Sequence, residues 1–163
     1  SSYSVTGVQT CALPISDAAR VAHTTGDASL LPLLFPLLNK GNSTLAAAAC
    51  ESIVKLSDGV YFARFCREAL GHPTEVVRIA AANSLLNLPS ELPRDYAISV
   101  LASNLSFTAS LDANIAYTSA LARLSGIRNA LRIRRDSTEE EIARTINWWK
   151  DFEIGRASCR ERV

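Results

Sequence analysis

Three stretches of the chain lie on one another without a gap. LAAAACESIVKLS from Leu45, VRIAAANSLLNLP from Val77 and ANIAYTSALARLS from Ala113 match Ala48 to Ala80 to Ala116, Ile53 to Leu85 to Leu121, and Leu56 to Leu88 to Leu124, at offsets of 32 and 36 residues. A recurrence of small and large apolar residues at a period in the thirties marks stacked helix pairs, each too thin to bury its apolar face except against the next. The preceding helices follow the same count. Leu30, Leu34 and Leu38 align with Phe62, Cys66 and Leu70 at an offset of 32, and Ile98, Leu101, Ala102 and Leu105 align with Phe62, Phe65, Cys66 and Ala69 at 36. The four extra residues fall in the turn PSELPR before the third pair. The expected fold class is all-α: an α-solenoid of about three helix pairs over 17–126, then a connector and a capping helix over 127–152.

Local signals place the boundaries. In SLLPLLFPLLNKG, Leu30, Leu33, Leu34, Leu37 and Leu38 recur at helical spacing and predict one apolar stripe, with Gly41 as the stop. Pro32 suits a first turn, whereas Pro36 removes an amide donor deeper in and predicts a bend. Asn42 or Ser43 caps the next helix, whose stripe runs through Leu45, Ala48, Ala49, Ile53 and Leu56. After Asp58-Gly59 a third helix turns Phe62, Phe65, Cys66, Ala69 and Leu70 inward and ends at Gly71 and Pro73. TEVVRIAAANSLLNLP is the fourth, closed by Pro89.

Composition excludes several classes of function. The formal charge of +1 exerts no global pull on nucleic acid or an anionic membrane, and the longest apolar run, SLLPLLFPLL, is too short for a span. The chain contains no Met, so its natural start is expected to be missing and no compartment is assigned.

The two ends stand apart from this pattern. VTGVQTCALPI, Val5 to Ile15, resembles a common sequencing adapter translated in frame, and IGRASCRERV at 154–163 resembles the reverse complement of its partner. That resemblance implies non-native tails at 1–16 and 153–163, poor packing there, and a biological segment that is an internal fragment of a longer protein. It also changes the cysteine count: Cys11 and Cys159 fall in the tails, and Cys50 and Cys66 remain. Both lie in helical patterns and are expected as core thiols, with a bridge between adjacent helices as the alternative.

The run ALGHPTEVVRIAAANSLLNL resembles the HEAT repeats, including those of phycobilisome-lyase-like proteins, whose second helix typically reads D-x-x-V-R-x-x-A-A-x-A-L-x-x-L. Val77, Arg78, Ala81, Ala82 and Leu85 follow that order, with Thr74 and Glu75 where an Asp is usual. The resemblance covers about 28–126. It implies that Arg78 is the ladder arginine linking neighbouring turns by charge-assisted hydrogen bonds. Ala46 and Asn114 occupy that position in the other pairs, so a continuous ladder is not expected.

After Gly126, Ser137 and Glu140 are read as a capping box, and Ile142, Ile146, Trp149 and Phe152 as the stripe of a last helix. The segment resembles the acidic-capped, tryptophan-ended helix that often follows bacterial HEAT arrays. Its expected role is to cover the last repeat, with an aromatic partner patch at Trp148 as the alternative. Arg128 and Arg132, placed i,i+4 on an expected short helix, together with Arg134 and Arg135, form a possible partner surface or else a solvated connector paired with Asp136 and the Glu run.

No catalytic, cofactor or metal motif is found in the sequence. His23 and His72 lack partners at ligand spacing and read as solvated helix-end and turn residues. The expected function is a non-enzymatic scaffold segment that binds a protein. The alternatives are a substrate-gripping subunit of a lyase or modifying enzyme, or a HEAT-type nucleic-acid binder.

Overall fold

The computed structural model describes residues 12–161, with side chains described from 15 to 159. Val5 to Cys11 of the first adapter-like stretch, and the last two residues of the second, lie outside the described residues. Eight helices follow in chain order: α1 Ala12–Val21, α2 Leu31–Leu34, α3 Ser43–Leu56, α4 Gly59–Phe65, α5 Glu75–Ser84, α6 Arg94–Asn104, α7 Leu111–Ser125 and α8 Glu139–Glu161. A 3-10 turn, Phe35–Lys40, prolongs α2, a π turn, Cys66–Leu70, prolongs α4, and a 3-10 turn, Leu85–Asn87, follows α5. No strand occurs among the described residues, and no described helix is long and apolar enough to cross a membrane.

The helices sort into two sets by what they touch. α1 packs on α3, α3 on α5, and α5 on α7. Against that series lie the others: the turn after α2 packs on α3, the π turn after α4 on both α5 and α6, α6 on α7, and α8 on α6. The aligned positions of the second helices explain this arrangement. Ile53, Leu85 and Leu121 are each wholly buried, as are Ala49, Ala81 and Tyr117, one position set to the side. Alanine at positions 49 and 81 lets the backbones of α3 and α5 approach, with Tyr117 filling the equivalent place on α7, and burial of the large column supplies the apolar stabilisation. Ala48 and Ala116 are buried, but Ala80 is only half-buried because it faces a cleft between α3 and α5.

The first helices require a correction of one residue. Leu31, Leu34, Phe35 and Leu38 are buried, while Leu33, expected inside, is 68% exposed and Leu30 and Leu37 are half-buried. Buried residues therefore align at an offset of 31, with Leu31, Leu34, Phe35 and Leu38 over Phe62, Phe65, Cys66 and Ala69. The caps show why. Asp27 accepts from the Ser29 amide at 2.9 Å, and Asp58 accepts from those of Val60 and Tyr61 at 3.0 and 2.9 Å. The two caps stand 31 residues apart and set both helix starts. A leucine-rich run satisfies either register, since one residue turns the stripe by only about 100°.

Other boundaries follow their local chemistry. The helix passes into its 3-10 turn at Phe35, next to Pro36, whose missing amide breaks the α pattern. Gly41 takes a left-handed φ of 68° and Asn42 accepts from the Leu45 amide at 3.0 Å. Gly71 closes the π turn, its amide donating to the Cys66 carbonyl at 3.2 Å. A Cβ there would come within 2.6 Å of the Arg67 carbonyl oxygen, so only glycine fits without a shift.

The C-terminal part differs from the sequence expectation in three ways. Residues 126–138 form no helix, so Arg128 and Arg132 do not share a helical face. The capping box is one residue later than Ser137 and Glu140: Thr138 Oγ1 accepts from the Glu141 amide at 3.2 Å, and Glu141 accepts from the Thr138 amide at 2.9 Å. Ser137 is held back by the turn, accepting from the Arg134 amide at 2.9 Å. Third, α8 continues past Phe152. Glu153 accepts from Ser99 Oγ of α6, and Arg156, with its side chain 18% exposed, pairs with Asp95 and Glu153. The described part of the 153–163 stretch is thus helical and docked as far as Arg156, whereas Ile154 is 65% exposed.

Candidate partner-binding surfaces

Arg78 lies at a junction between successive pairs. From α5 its Nε–H donates to the Tyr117 hydroxyl of α7 at 3.1 Å, and Nη1 donates to the carbonyls of His72 and Pro73 at 2.6 and 3.0 Å. Glu75 is at 4.0 Å. The guanidinium thus ties its own helix to the preceding turn and to the next second helix. Burial raises the Tyr117 phenol above its ordinary pKa, and the arginine opposes that shift. At the equivalent place in the third pair, Asn114 Nδ2 donates to the Ser106 carbonyl at 2.8 Å, a neutral tie to the preceding turn.

Both histidines are structural, not solvated. His72 is buried: its Nδ1 accepts from the Thr74 amide at 3.0 Å, which leaves Nε2–H to donate to Asn39 Oδ1 at 2.9 Å. His23 is half-buried between Ser52 Oγ and Lys55 Nζ, each at 3.3 Å. Ser52 donates to the Ala19 carbonyl of α1, and Lys55 also pairs with Glu51 at 2.6 Å. This chain of contacts fastens α1 to α3. The wholly buried Ser52 is shielded from any substrate.

The four connector arginines are dispersed. Arg128 is exposed just after Gly126, and Arg135 pairs with Asp112 of α7 at 2.8 Å and not with the Glu run. Arg132 and Arg134 line a cleft of about 310 Å³ with Asp136, Glu141 and Arg144, the last a residue that sequence spacing did not single out. Between the arginines, Ile133 is buried and its amide donates to Thr118 Oγ1 at 3.0 Å. Thr118 stands where the other pairs have Cys50 and Ala82, so one hydroxyl in a buried column straps the connector to α7. Trp149 is wholly buried and donates from Nε1 to the Leu131 carbonyl at 2.8 Å, while Trp148 is half-buried, stacked on Phe152 with centroids 6.0 Å apart.

A surface on the second helices has more continuity. Ala47, Glu51, Lys55, Ala80, Asn83 and Asn87 line a cleft of about 260 Å³ between α3 and α5. Glu51 aligns with Asn83 and Lys55 with Asn87 at the 32-residue offset, so the cleft is a repeat feature visible in the columns themselves. The apolar periodicity carries no trace of it; its signal is the polar pairs Glu51 and Asn83, Lys55 and Asn87.

Cys50 and Cys66 are free and wholly buried, which removes the disulfide alternative, and burial pushes both thiols up to about 12. A thiol so held is a poor nucleophile at neutral pH. Among the described residues, no group of three or more His, Cys, Asp or Glu side chains is placed to hold a metal ion. No family model, curated protein or solved structure matches the chain.

Proposed function

We propose that the chain is a segment of a non-enzymatic α-solenoid of the HEAT type, internal to a longer protein, and that it binds a protein partner along the exposed face of its second helices. The observation that carries this reading is the polar cleft between α3 and α5, whose side chains Glu51 and Lys55 repeat in register as Asn83 and Asn87 and lie outside the core. A repeated ridge of mixed polar side chains suits an extended peptide or helix, since each repeat offers the same spacing of contacts. The histidines and buried thiols support a non-enzymatic role, because their polar atoms are engaged in packing. The connector cleft mixes Arg132, Arg134 and Arg144 with Asp136 and Glu141, which favours a protein over a polyphosphate ligand.

The test is a photo-crosslinker at Asn83, compared with one at Val60, which is 78% exposed on α4. In extract from the source, a protein adduct at position 83 and none at 60 is expected. A nucleic-acid adduct, or affinity for nucleic acid falling steeply with salt, would overturn the reading. We also propose that 5–15 and 154–163 are translated adapter. The source nucleotide read should carry adapter codons at both ends, and synonymous codons there would refute this.

A further inference from the structure

The face with which each first helix meets the one before it can be followed by register. Positions 30, 33 and 37 of the α2 segment correspond to Tyr61, Arg64 and Glu68 of the α4 segment, and to Ala97, Val100 and Asn104 of α6. In the α4 segment two of the three positions meet the preceding helix, while Glu68 is exposed. Tyr61 stacks on Phe35 with ring centroids 6.4 Å apart, and the Arg64 guanidinium lies 4.0 Å from the centre of the same ring. In α6 Ala97 is wholly buried and Asn104 Nδ2 donates to the Leu70 carbonyl of the preceding π turn at 2.7 Å.

In the α2 segment the same three positions are Leu30, Leu33 and Leu37, of which Leu30 and Leu37 are half-buried along an apolar groove. Leu33 is 68% exposed. The facing wall comes from α1, where Val21 is 53% exposed; Ile15 also borders the groove but belongs to the adapter-like stretch and is no part of the proposed seat. Between the walls runs an apolar groove of about 410 Å³, also lined by Ala18. α1 itself packs on α3 as α3 packs on α5 and α5 on α7, so it holds a second-helix place. The groove is where a first helix would stand in front of it.

We infer that this groove is the seat of one further first-type helix. Its occupant is an amphipathic α-helix of about three turns, with a large apolar residue at the place Phe35 holds, contributed by a repeat that precedes α1 in the same polypeptide. The inference rests on the proposed solenoid reading, and its warrant is continuity with the α2, α4 and α6 contacts. Leucine at all three rear-facing positions suits burial against such a helix better than exposure to water.

The probe is a synthetic peptide of the chain's own α4 segment, residues 59–71 with Cys66→Phe, which puts a ring at the place Phe35 holds in the α2 segment, titrated into the full chain and followed by leucine methyl NMR. Saturable shifts of Leu30, Leu33 and Leu37 are expected, with affinity at least tenfold weaker in Leu33→Asp and unchanged in Val60→Asp. Leu33 is exposed, so the variant should keep its helicity, which circular dichroism verifies. No shift at these leucines at millimolar peptide would overturn the inference. So would a dimer that Leu33→Asp dissociates, because the occupant would then be a second copy. Contacts between the Arg78 side chain and the Tyr117 ring, seen in the same spectra, separate the two claims. If they are present without peptide shifts, only the seat fails, and if they are absent, the stacked arrangement fails as well.

Discussion

Replacing Leu31 and, separately, Leu33 by alanine distinguishes the observed register of the first helix from the one that leucine spacing suggests. Leu31 has no exposed surface, whereas Leu33 is 68% exposed. Truncating a buried leucine removes its transfer free energy and leaves a cavity, together about 3 kcal/mol. Truncating an exposed one stays within about 0.5 kcal/mol. The assay is urea unfolding followed by circular dichroism at 222 nm. With a denaturant slope of about 2 kcal/mol/M, Leu31→Ala lowers the midpoint by about 1.5 M, and Leu33→Ala moves it by less than about 0.3 M. Equal losses, or a larger loss for Leu33→Ala, would show that the stripe through Leu30, Leu33 and Leu37 is the buried one. The caps at Asp27 and Asp58 would then not set the register.

Three further outcomes are expected. Thr138→Ala removes the observed capping box and costs about 1 kcal/mol, whereas Glu140→Ala, outside it, changes unfolding by less than about 0.5 kcal/mol. In a Cys11→Ser, Cys159→Ser variant, the thiols of Cys50 and Cys66, pushed up to about 12, stay unlabelled by a thiol reagent at pH 8 until urea is added, and rapid native-state labelling would contradict their burial. Hydrogen bonds from the Ser110 hydroxyl and amide hold Glu75 below its ordinary pKa. The folded state therefore favours the carboxylate, and its contribution is present above the unfolded-state value and lost as pH falls through the folded one. The stability gap between wild type and Glu75→Gln should be widest near neutrality and close in acid, and a gap that widens in acid would reverse the assigned sign.

The helix pairs were legible because their information is redundant. Ile53, Leu85 and Leu121 announce one buried column three times, and Gly41, Asn42, Asp58 and Pro89 punctuate it with side chains whose backbone preferences are strong. The first helix was misplaced by one residue because six leucines between 30 and 38 satisfy two faces, and the deciding signal was the Asp27 cap. The capping box slipped because Ser137-Thr138 offers two hydroxyls and the Glu run answers either. What separates them is the turn amide of Arg134, which occupies Ser137. The i,i+4 spacing of Arg128 and Arg132 suggests a helix where the connector has none. Its path is set instead by Ile133 and by Thr118, a hydroxyl 15 residues earlier on another element. His23 and His72 looked solvated for the same reason: Ser52 and Asn39, their partners, lie 29 and 33 residues away. Contacts of that range are tertiary facts. Only the repeat count brings them within reach, by predicting which segments lie side by side.

That prediction is the central claim, and the contact between Arg78 and Tyr117 tests it most directly, since the two residues stand 39 apart on consecutive second helices. The measurement is a double-mutant cycle on unfolding free energy with Arg78→Met, Tyr117→Phe and the double variant. A coupling of about 1 kcal/mol or more is predicted for a half-buried, charge-assisted hydrogen bond. Additive effects, with coupling below about 0.3 kcal/mol, would contradict the stacking of α5 on α7 through this pair.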